Sequence, residues 1–395
     1  MTEHLTIIDR LIELAQSNPD RPAVIHKHKI ITYKQLLEKV ELFALTFHDK
    51  NIRKGSIVAS IQSHSLEHMI SMLAIARIGG IVIPINPKFS TKVINNILVK
   101  YEATFILSNL KNKKISSFNL PTLYTAPLIN QDKIKDKIKN NIKINLPKLT
   151  DPYIVAIPLL LSMKKADQLN PKAIMYTHAY LNKRMERTLD QFSDDIRLIP
   201  PDLNFTMGYI TTLGSLFLGG LTIIVNSNQP QSIYHAINLY AATHIFISSK
   251  SAETIMYLAP ESTKKMFPSL VHLRILEGQP NRNLIKKLIT NFSSNLYASY
   301  GSAETGGLTL ATPQILKKSY LSSGKPRAWV KLEVLNSQGR KANSHEVGLI
   351  RAKGELVPSE YWHDPELTKV KFKQGWFYTG DYGYIDKAGE LFLSH

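Results

Sequence analysis

The 395-residue chain has no cysteine. Disulfides, thiolate catalysis and thiolate metal sites are therefore excluded, and a reducing, cytoplasmic compartment is the expectation. Glycine is absent between Gly80 and Gly208, so that stretch holds no glycine-rich phosphate loop. The N-terminus, MTEHLTIIDRLIELAQ, carries acids and lacks the basic-then-apolar pattern of a signal segment. Acid is scarce: 31 Asp+Glu stand against 49 Lys+Arg, a formal charge of +18. Such a balance suits nucleic acid, an anionic membrane surface or acidic small molecules. Here the lysines are scattered, and the densest basic segment, 111–148, lacks the interleaved aromatics of a stacking platform. No nucleic-acid partner is expected. Nineteen uncharged residues run from Met207 to Val225, long enough to cross a bilayer. Gly219 and Gly220 interrupt them and β-branched residues follow. The pattern predicts a buried helix, a turn and a buried strand, with no membrane span.

What is present is alternation. Leu5, Ile8, Leu11, Ile12 and Ala15 make one helical stripe. After SNPDRP come two short strands and a helix beginning near Thr32. SIVASIQ, SLEHMISMLAIARIGG and IVIPINP read as strand, helix and strand, a βαβ unit that implies a parallel sheet. The alternation recurs from LTIIV (221–225) through HIFIS (244–248) and LRILEG (273–278) to LYASYG (296–301), with helices near 231–242, 251–258 and 284–290. After residue 320 the texture changes to short strands with Gly, Asp and Asn turns. The fold class expected is α/β: two layered α/β subdomains, near 1–200 and 201–320, plus a small β-rich, barrel-like subdomain at 321–387.

Two motifs carry chemistry. YGSAETGG, Tyr300–Gly307, follows a predicted strand, where Gly301 lets the chain turn at the sheet's carboxyl edge. Tyr300 offers a flat face for a base. Glu304 offers a hard oxygen for a divalent cation, and Ser302 and Thr305 offer hydroxyls. GWFYTGDYGYID, Gly375–Asp386, sets Asp381 after Gly380 on what reads as a tight turn, suited to a ribose diol. Other residues read as structural. His178 should open a helix. His64 and His68 have the i,i+4 spacing of a metal pair, but with no third ligand nearby a half-exposed helix face is expected.

The two motifs together, with YWHDPELTKVKF before the second, resemble the adenylate-forming superfamily of acyl-CoA synthetases, peptide-synthetase activating domains and luciferases. NPDRPAVI, ITYKQL, RIGGIVIPINPKFS, RILEGQP, SSGKPRAWVKLEVLNSQGR and EVGLIRAKG extend the resemblance over nearly the whole chain. It implies that a carboxylic acid and ATP, with Mg2+, form an acyl-adenylate. CoA or a carrier-protein pantetheine then takes the acyl group. It also implies adenine packing by Tyr300, ribose binding by Asp381 and magnesium binding by Glu304. Gly278 and Gln279 would line the adenine and acyl side, and Asn204–Gly208, with Phe205, would border the acid pocket.

Three departures accompany the resemblance. The family's glycine-rich phosphate loop is matched by KADQLNPKA, Lys165–Ala173. Lys172 survives there, Asp167 adds negative charge, and Lys164 and Lys165 offer only point charges. Ala303 stands where the family usually has a hydroxyl. The chain ends at ELFLSH, with 388–395 expected as the stub of a hinge to a small domain that carries the adenylation lysine. A carrier protein or a separately encoded small domain is the partner this implies.

Overall fold

The structure, a computed structural model, describes residues 6–130, 155–159, 171–188, 195–226, 229–258, 266–276 and 282–394. The chain forms two compact units, Met1–Arg187 with Asp202–Val225, and Thr188–Pro201 with Asn226–His395.

The first unit begins with the expected helix, Ile7–Ser17. Thr6 and Asp9 form a capping box, which satisfies two backbone donors reciprocally. Ile7, Ile8, Leu11, Leu14 and Ala15 are its buried stripe. Thr32 caps helix Tyr33–Asp49 through Gln35 in the same way. The predicted βαβ unit is present: strand Ile57–Ser60, helix Leu66–Ile78 and strand Ile81–Pro84. The helix ends at Gly79, whose φ of 82° is the left-handed stop that favours glycine. Strand Ile57–Ser60 pairs in parallel with Ile81–Pro84 on one side and with Phe105–Ser108 on the other. Phe105–Ser108 pairs in parallel with Thr122–Tyr124. The chain therefore leaves Ile57–Ser60 in one direction and returns beside it in the other. That is a topological switch point, and in open parallel sheets ligands bind at the carboxyl edge there.

Met207–Val225 folds as its pattern predicts, with helix Thr206–Phe217 and strand Leu221–Ile224. Every described helix is too short or too polar to cross a membrane. Strand Leu221–Ile224 pairs in parallel with Pro22–His26. The buried Tyr33 hydroxyl donates to the Gly220 carbonyl at 2.8 Å, tying helix to turn.

The second unit carries the later alternation. Strands Arg197–Ile199, His244–Ile247, His272–Ile275 and Leu296–Ala298 pair in parallel in that order. Helices Pro230–Tyr240, Ser249–Leu258 and Arg282–Lys287 lie between them in sequence. An antiparallel sheet follows, built from Val330–Leu335, Gly348–Gly354, Trp376–Ile385 and Leu391–Ser394. Its inner face packs Val330, Leu332, Val334, Ile350, Ala352 and Leu391 with Tyr300 and Leu308. The layered α/β class and the β-rich part both match the sequence reading.

Candidate nucleotide site

Leu296–Ala298 is the last parallel strand of the second unit, and the YGSAETGG segment starts two residues beyond it. Gly301 pairs with Gly307, and Ser302 with Gly306, in a narrow hairpin. A Cβ on Gly301 would lie 1.7 Å from the Gly306 carbonyl oxygen, so only glycine fits that position. Inside the hairpin, the Ser302 backbone N–H donates to the Thr305 hydroxyl at 3.1 Å, and that hydroxyl donates to the Gly306 carbonyl at 3.0 Å. The Ser302 hydroxyl lies 3.3 Å from that of Thr305, so the two hydroxyls brace the turn that presents Glu304.

Gly380 and Asp381 depart from the sequence reading. They do not form a tight turn but lie within the continuous strand Trp376–Ile385. Opposite them the register shifts between Leu349 and Arg351. The extra residues form a bulge, which bends a strand and re-aims its side chains. Gly380 takes the left-handed φ of 90° that the bulge demands. The Thr379 hydroxyl donates to the Ile350 carbonyl at 3.0 Å and accepts from the Asp381 backbone N–H at 3.1 Å.

The two motifs meet. The Tyr300 hydroxyl donates to Asp381 Oδ2 at 2.9 Å across 81 residues of sequence. Burial is the main cause that pushes the Tyr300 phenol far above its ordinary value. A Thr379 hydrogen bond opposes this, and the carboxylates of Asp381 and Glu304 reinforce it. Tyr300 is therefore a neutral donor, and both carboxylates act on it. Its ring packs with the core of the antiparallel sheet and Tyr300 is 7% exposed, so little of the flat face is open. Asp381 is exposed and Glu304 half-buried.

Tyr361 was not singled out from the sequence, although it opens YWHDPELTKVKF. Its hydroxyl donates to Glu304 Oε1 at 2.8 Å. Its own backbone N–H donates to Thr368 Oγ1 at 2.9 Å, and its ring meets Phe372 edge-on at 5.4 Å. Helix Pro365–Lys371, capped by Asp364, holds Thr368 in place. Each acid of the site is thus oriented by a buried tyrosine hydroxyl. A hard divalent cation suits the Glu304 carboxylate.

Comparisons with known proteins show the family. The sequence pattern of the AMP-binding enzyme family matches residues 11–155 and 170–362. The chain belongs to the AMP-binding enzyme family. Among its relatives is a 2-succinylbenzoate–CoA ligase of Oceanobacillus iheyensis, 23% identical over 388 residues, covering 97% of this chain and 78% of that protein. Bacitracin synthase 2 of Bacillus licheniformis is 25% identical over 406 residues, covering 99% of this chain and 15% of that protein. A solved structure with the same fold is o-succinylbenzoate coenzyme A synthetase of Bacillus subtilis in complex with ATP and magnesium. Its TM-score is 0.84 at 20% identity, over 97% of this chain and 78% of that one.

The remaining family-implied positions are not part of this cluster. Gly278 and Gln279, and the loop residues Lys164, Lys165 and Asp167, lie outside the described residues. Lys172, Asn204, Phe205 and Gly208 belong to the first unit. Lys172 begins strand Lys172–Tyr176, fixed from behind by the Tyr101 hydroxyl and the Lys100 ammonium, which both donate to the Pro171 carbonyl. Asn204 is 9% exposed, Phe205 41% exposed, and Gly208 is buried in helix Thr206–Phe217. His178 opens helix His178–Thr188, as expected. The half-exposed helix face expected for His64 and His68 is overturned at His68, which is wholly buried in the helix; His64 is half-buried and precedes the helix, with its Nε2 buried. Among the described residues no group of three His, Cys, Asp or Glu side chains is arranged to hold a metal ion.

Proposed function

We propose that the protein is an adenylate-forming acid–thiol ligase. An oxygen of a carboxylic acid attacks the α-phosphorus of ATP and pyrophosphate leaves. The sulfur of CoA or of a carrier-protein pantetheine then attacks the acyl carbonyl, and AMP leaves. The observation that carries this reading is the convergence of Tyr300, Asp381 and Glu304, joined by the Tyr300–Asp381 hydrogen bond. Asp381 accepts hydrogen bonds from the ribose hydroxyls, and Tyr300 borders the adenine while orienting that carboxylate. Glu304, steadied by Tyr361, would hold the magnesium ion that accompanies ATP. A bound divalent cation neutralises charge developing on the phosphates. Gly301, Ser302 and Thr305 shape the wall that presents Glu304. Lys172 supplies a point charge toward the leaving pyrophosphate. The family resemblance assigns Gly278 and Gln279 to the adenine and acyl side, and Asn204, Phe205 and Gly208 to the acid. The names of the ligase relatives, and the ATP and magnesium bound by the Bacillus subtilis enzyme, support the same reaction class.

Turnover is weak or depends on a partner, a carrier protein or a separately encoded small domain. The Lys165–Ala173 segment has no glycine, so backbone donors cannot crowd around the departing diphosphate. Losing one oriented donor costs about 2.7–4 kcal/mol in the transition state, and Ala303 contributes no hydroxyl. The same two features favour a second reading, a non-catalytic homologue that binds AMP or an acyl ligand and acts through partners.

ATP–pyrophosphate exchange with a panel of carboxylic acids separates the two. Acid-dependent exchange, even slow, is expected for the ligase. Exchange absent with every acid, alongside saturable AMP binding, would establish the second reading instead.

A further inference from the structure

The antiparallel sheet of the second unit has two unlike faces. Its inner face packs Val330, Leu332, Val334, Ile350 and Ala352 with Tyr300. Side chains alternate along a strand, so Lys331, Glu333, Arg351 and Lys353 lie on the other face. The register arranges them in rows. Lys331 stands opposite Lys353, and Glu333 opposite Arg351. Arg351 stands opposite Tyr378, and Leu349 opposite Tyr382. Lys373, in the short strand Phe372–Lys373, stands opposite Trp376. Cation contacts bear out the shared face. The Trp376 ring centre lies 4.2 Å from the Arg351 guanidinium, 4.8 Å from the Lys353 ammonium and 5.4 Å from that of Lys331. The Lys373 ammonium lies 5.8 Å from the Tyr378 ring. These rows hold four cations and one carboxylate, Glu333. That carboxylate is fully engaged, by Arg351 at 2.7 Å and by Lys331 at 3.2 Å.

Like charges directly opposite one another destabilise a strand pair, and Lys331 with Lys353 is such a pair. Lysine on an edge strand guards against unwanted sheet pairing. That accounts for Lys331 and Lys373, whose strands end the sheet. It does not account for Lys353, whose strand lies inside it. An anionic partner does. Its class follows from what the face has free. Arg351 is the one forked donor here, and Glu333 and Tyr378 already occupy it. A folded acidic protein, with carboxylates in fixed places, gains most from free forks. Trp376 lies beneath its cations and is 7% exposed, so bases of a nucleic acid find no open ring to stack on. What remains is a row of flexible point charges. Those suit a fluid layer whose anionic groups rearrange around them, the headgroups of an anionic bilayer. Tyr382, on the same face and 54% exposed, adds an amphipathic ring of the kind that rests at headgroup level.

We propose that this outer face docks the protein on anionic phospholipid headgroups, with Lys331, Lys353 and Lys373 meeting the phosphates and Tyr382 resting among them. The attachment is peripheral, reversible and screened by salt. It needs no membrane-spanning helix. Tyr300 packs on the inner face of the same sheet, so docking draws on none of the residues proposed to hold the nucleotide.

The test is co-sedimentation of the full chain with vesicles of phosphatidylcholine alone and of phosphatidylcholine mixed with phosphatidylglycerol. The chain carries +18 overall, so a control must separate this face from net charge. One variant combines Lys331→Gln, Lys353→Gln and Lys373→Gln. The control combines Lys29→Gln, Lys34→Gln and Lys92→Gln, three exposed lysines of the first unit, and removes the same charge. Neutral replacements leave no new acid beside Glu333, and thermal melts confirm that both variants fold. Wild type should bind the phosphatidylglycerol vesicles, release them when salt is raised from about 50 mM to about 500 mM, and ignore phosphatidylcholine alone. The face variant should bind at least about tenfold more weakly, and the control about threefold or less. Equal weakening in the two variants, or wild type that does not bind the phosphatidylglycerol vesicles, overturns the proposal. So does wild type that passes over the vesicles but binds poly-glutamate or single-stranded DNA through these lysines. No readout involves a nucleotide, so the ligase reading stands or falls separately.

Discussion

The two units treat their polar side chains in opposite ways. In the second, each carboxylate of the candidate nucleotide site is held by a tyrosine hydroxyl: Asp381 by Tyr300 and Glu304 by Tyr361. In the first, His64, His68, Asn204 and Thr206 keep buried nitrogens or oxygens with no protein partner. The difference is one of preorganisation. A site for a ligand part that never varies, such as a ribose or a metal-bound phosphate, gains from groups fixed before binding. Buried polar atoms left without a partner do the reverse, and each costs about 1–3 kcal/mol of stability.

The largest expected effect breaks the preorganised side. Gly301→Ala drives a Cβ into the Gly306 carbonyl, and backbone cannot yield as a side-chain tip can. The hairpin bearing Glu304 should distort, at a cost of about 3 kcal/mol in urea melts, with AMP binding lost. Gly375→Ala, where the added atom meets open space, serves as the control. It strains a φ of 74° without a clash and should cost about 1 kcal/mol.

The next prediction sharpens the unpartnered side through pH. Burial keeps folded His68 neutral down to about 3, whereas the unfolded side chain protonates below its ordinary 6.5. The unfolded state therefore binds more protons across that window. Stability falls as pH drops from 6.5 toward 3, by about 1.4 kcal/mol per pH unit for one such histidine. Urea melts at pH 7 and pH 5 should show His68→Leu losing less stability than wild type. Equal losses would mean that His68 is not held neutral by burial.

Much of this comparison was legible beforehand, and the illegible parts share a cause. Helix Leu66–Ile78 was evident from its apolar run and terminal glycines, and the two acid-bearing motifs were evident from their glycine spacing. The partners were not. Tyr300 and Asp381 are 81 residues apart, and no local pattern states that a bulge will bring them together. The same bulge hid behind Gly380-Asp381, which reads as a turn because glycine before an acid usually makes one. His68 shows a signal misjudged rather than missing. Its i,i+4 spacing from His64 suggested one exposed face, but Met69, Ile70, Leu73 and Ile75 surround the helix with apolar residues, and a helix apolar all round is buried.

The smallest expected effect separates the two tyrosines. Tyr361→Phe removes one hydrogen bond to a half-exposed carboxylate, worth about 0.5–1.5 kcal/mol. Titrations should show Mg2+-ATP bound about three- to tenfold more weakly with AMP affinity unchanged. A matching loss for AMP without metal would assign Tyr361 to the scaffold as a whole rather than to Glu304.

The central claim is that Asp381, aimed by Tyr300, holds the ribose of a bound nucleotide. Isothermal titration of AMP into the wild-type chain and into Asp381→Ala tests it most directly. The account predicts saturable binding to wild type that weakens by about tenfold or more in the variant, the 1.4 kcal/mol or greater expected of lost charge-assisted hydrogen bonds. Equal affinity in the two proteins, or no AMP binding by either, would contradict it.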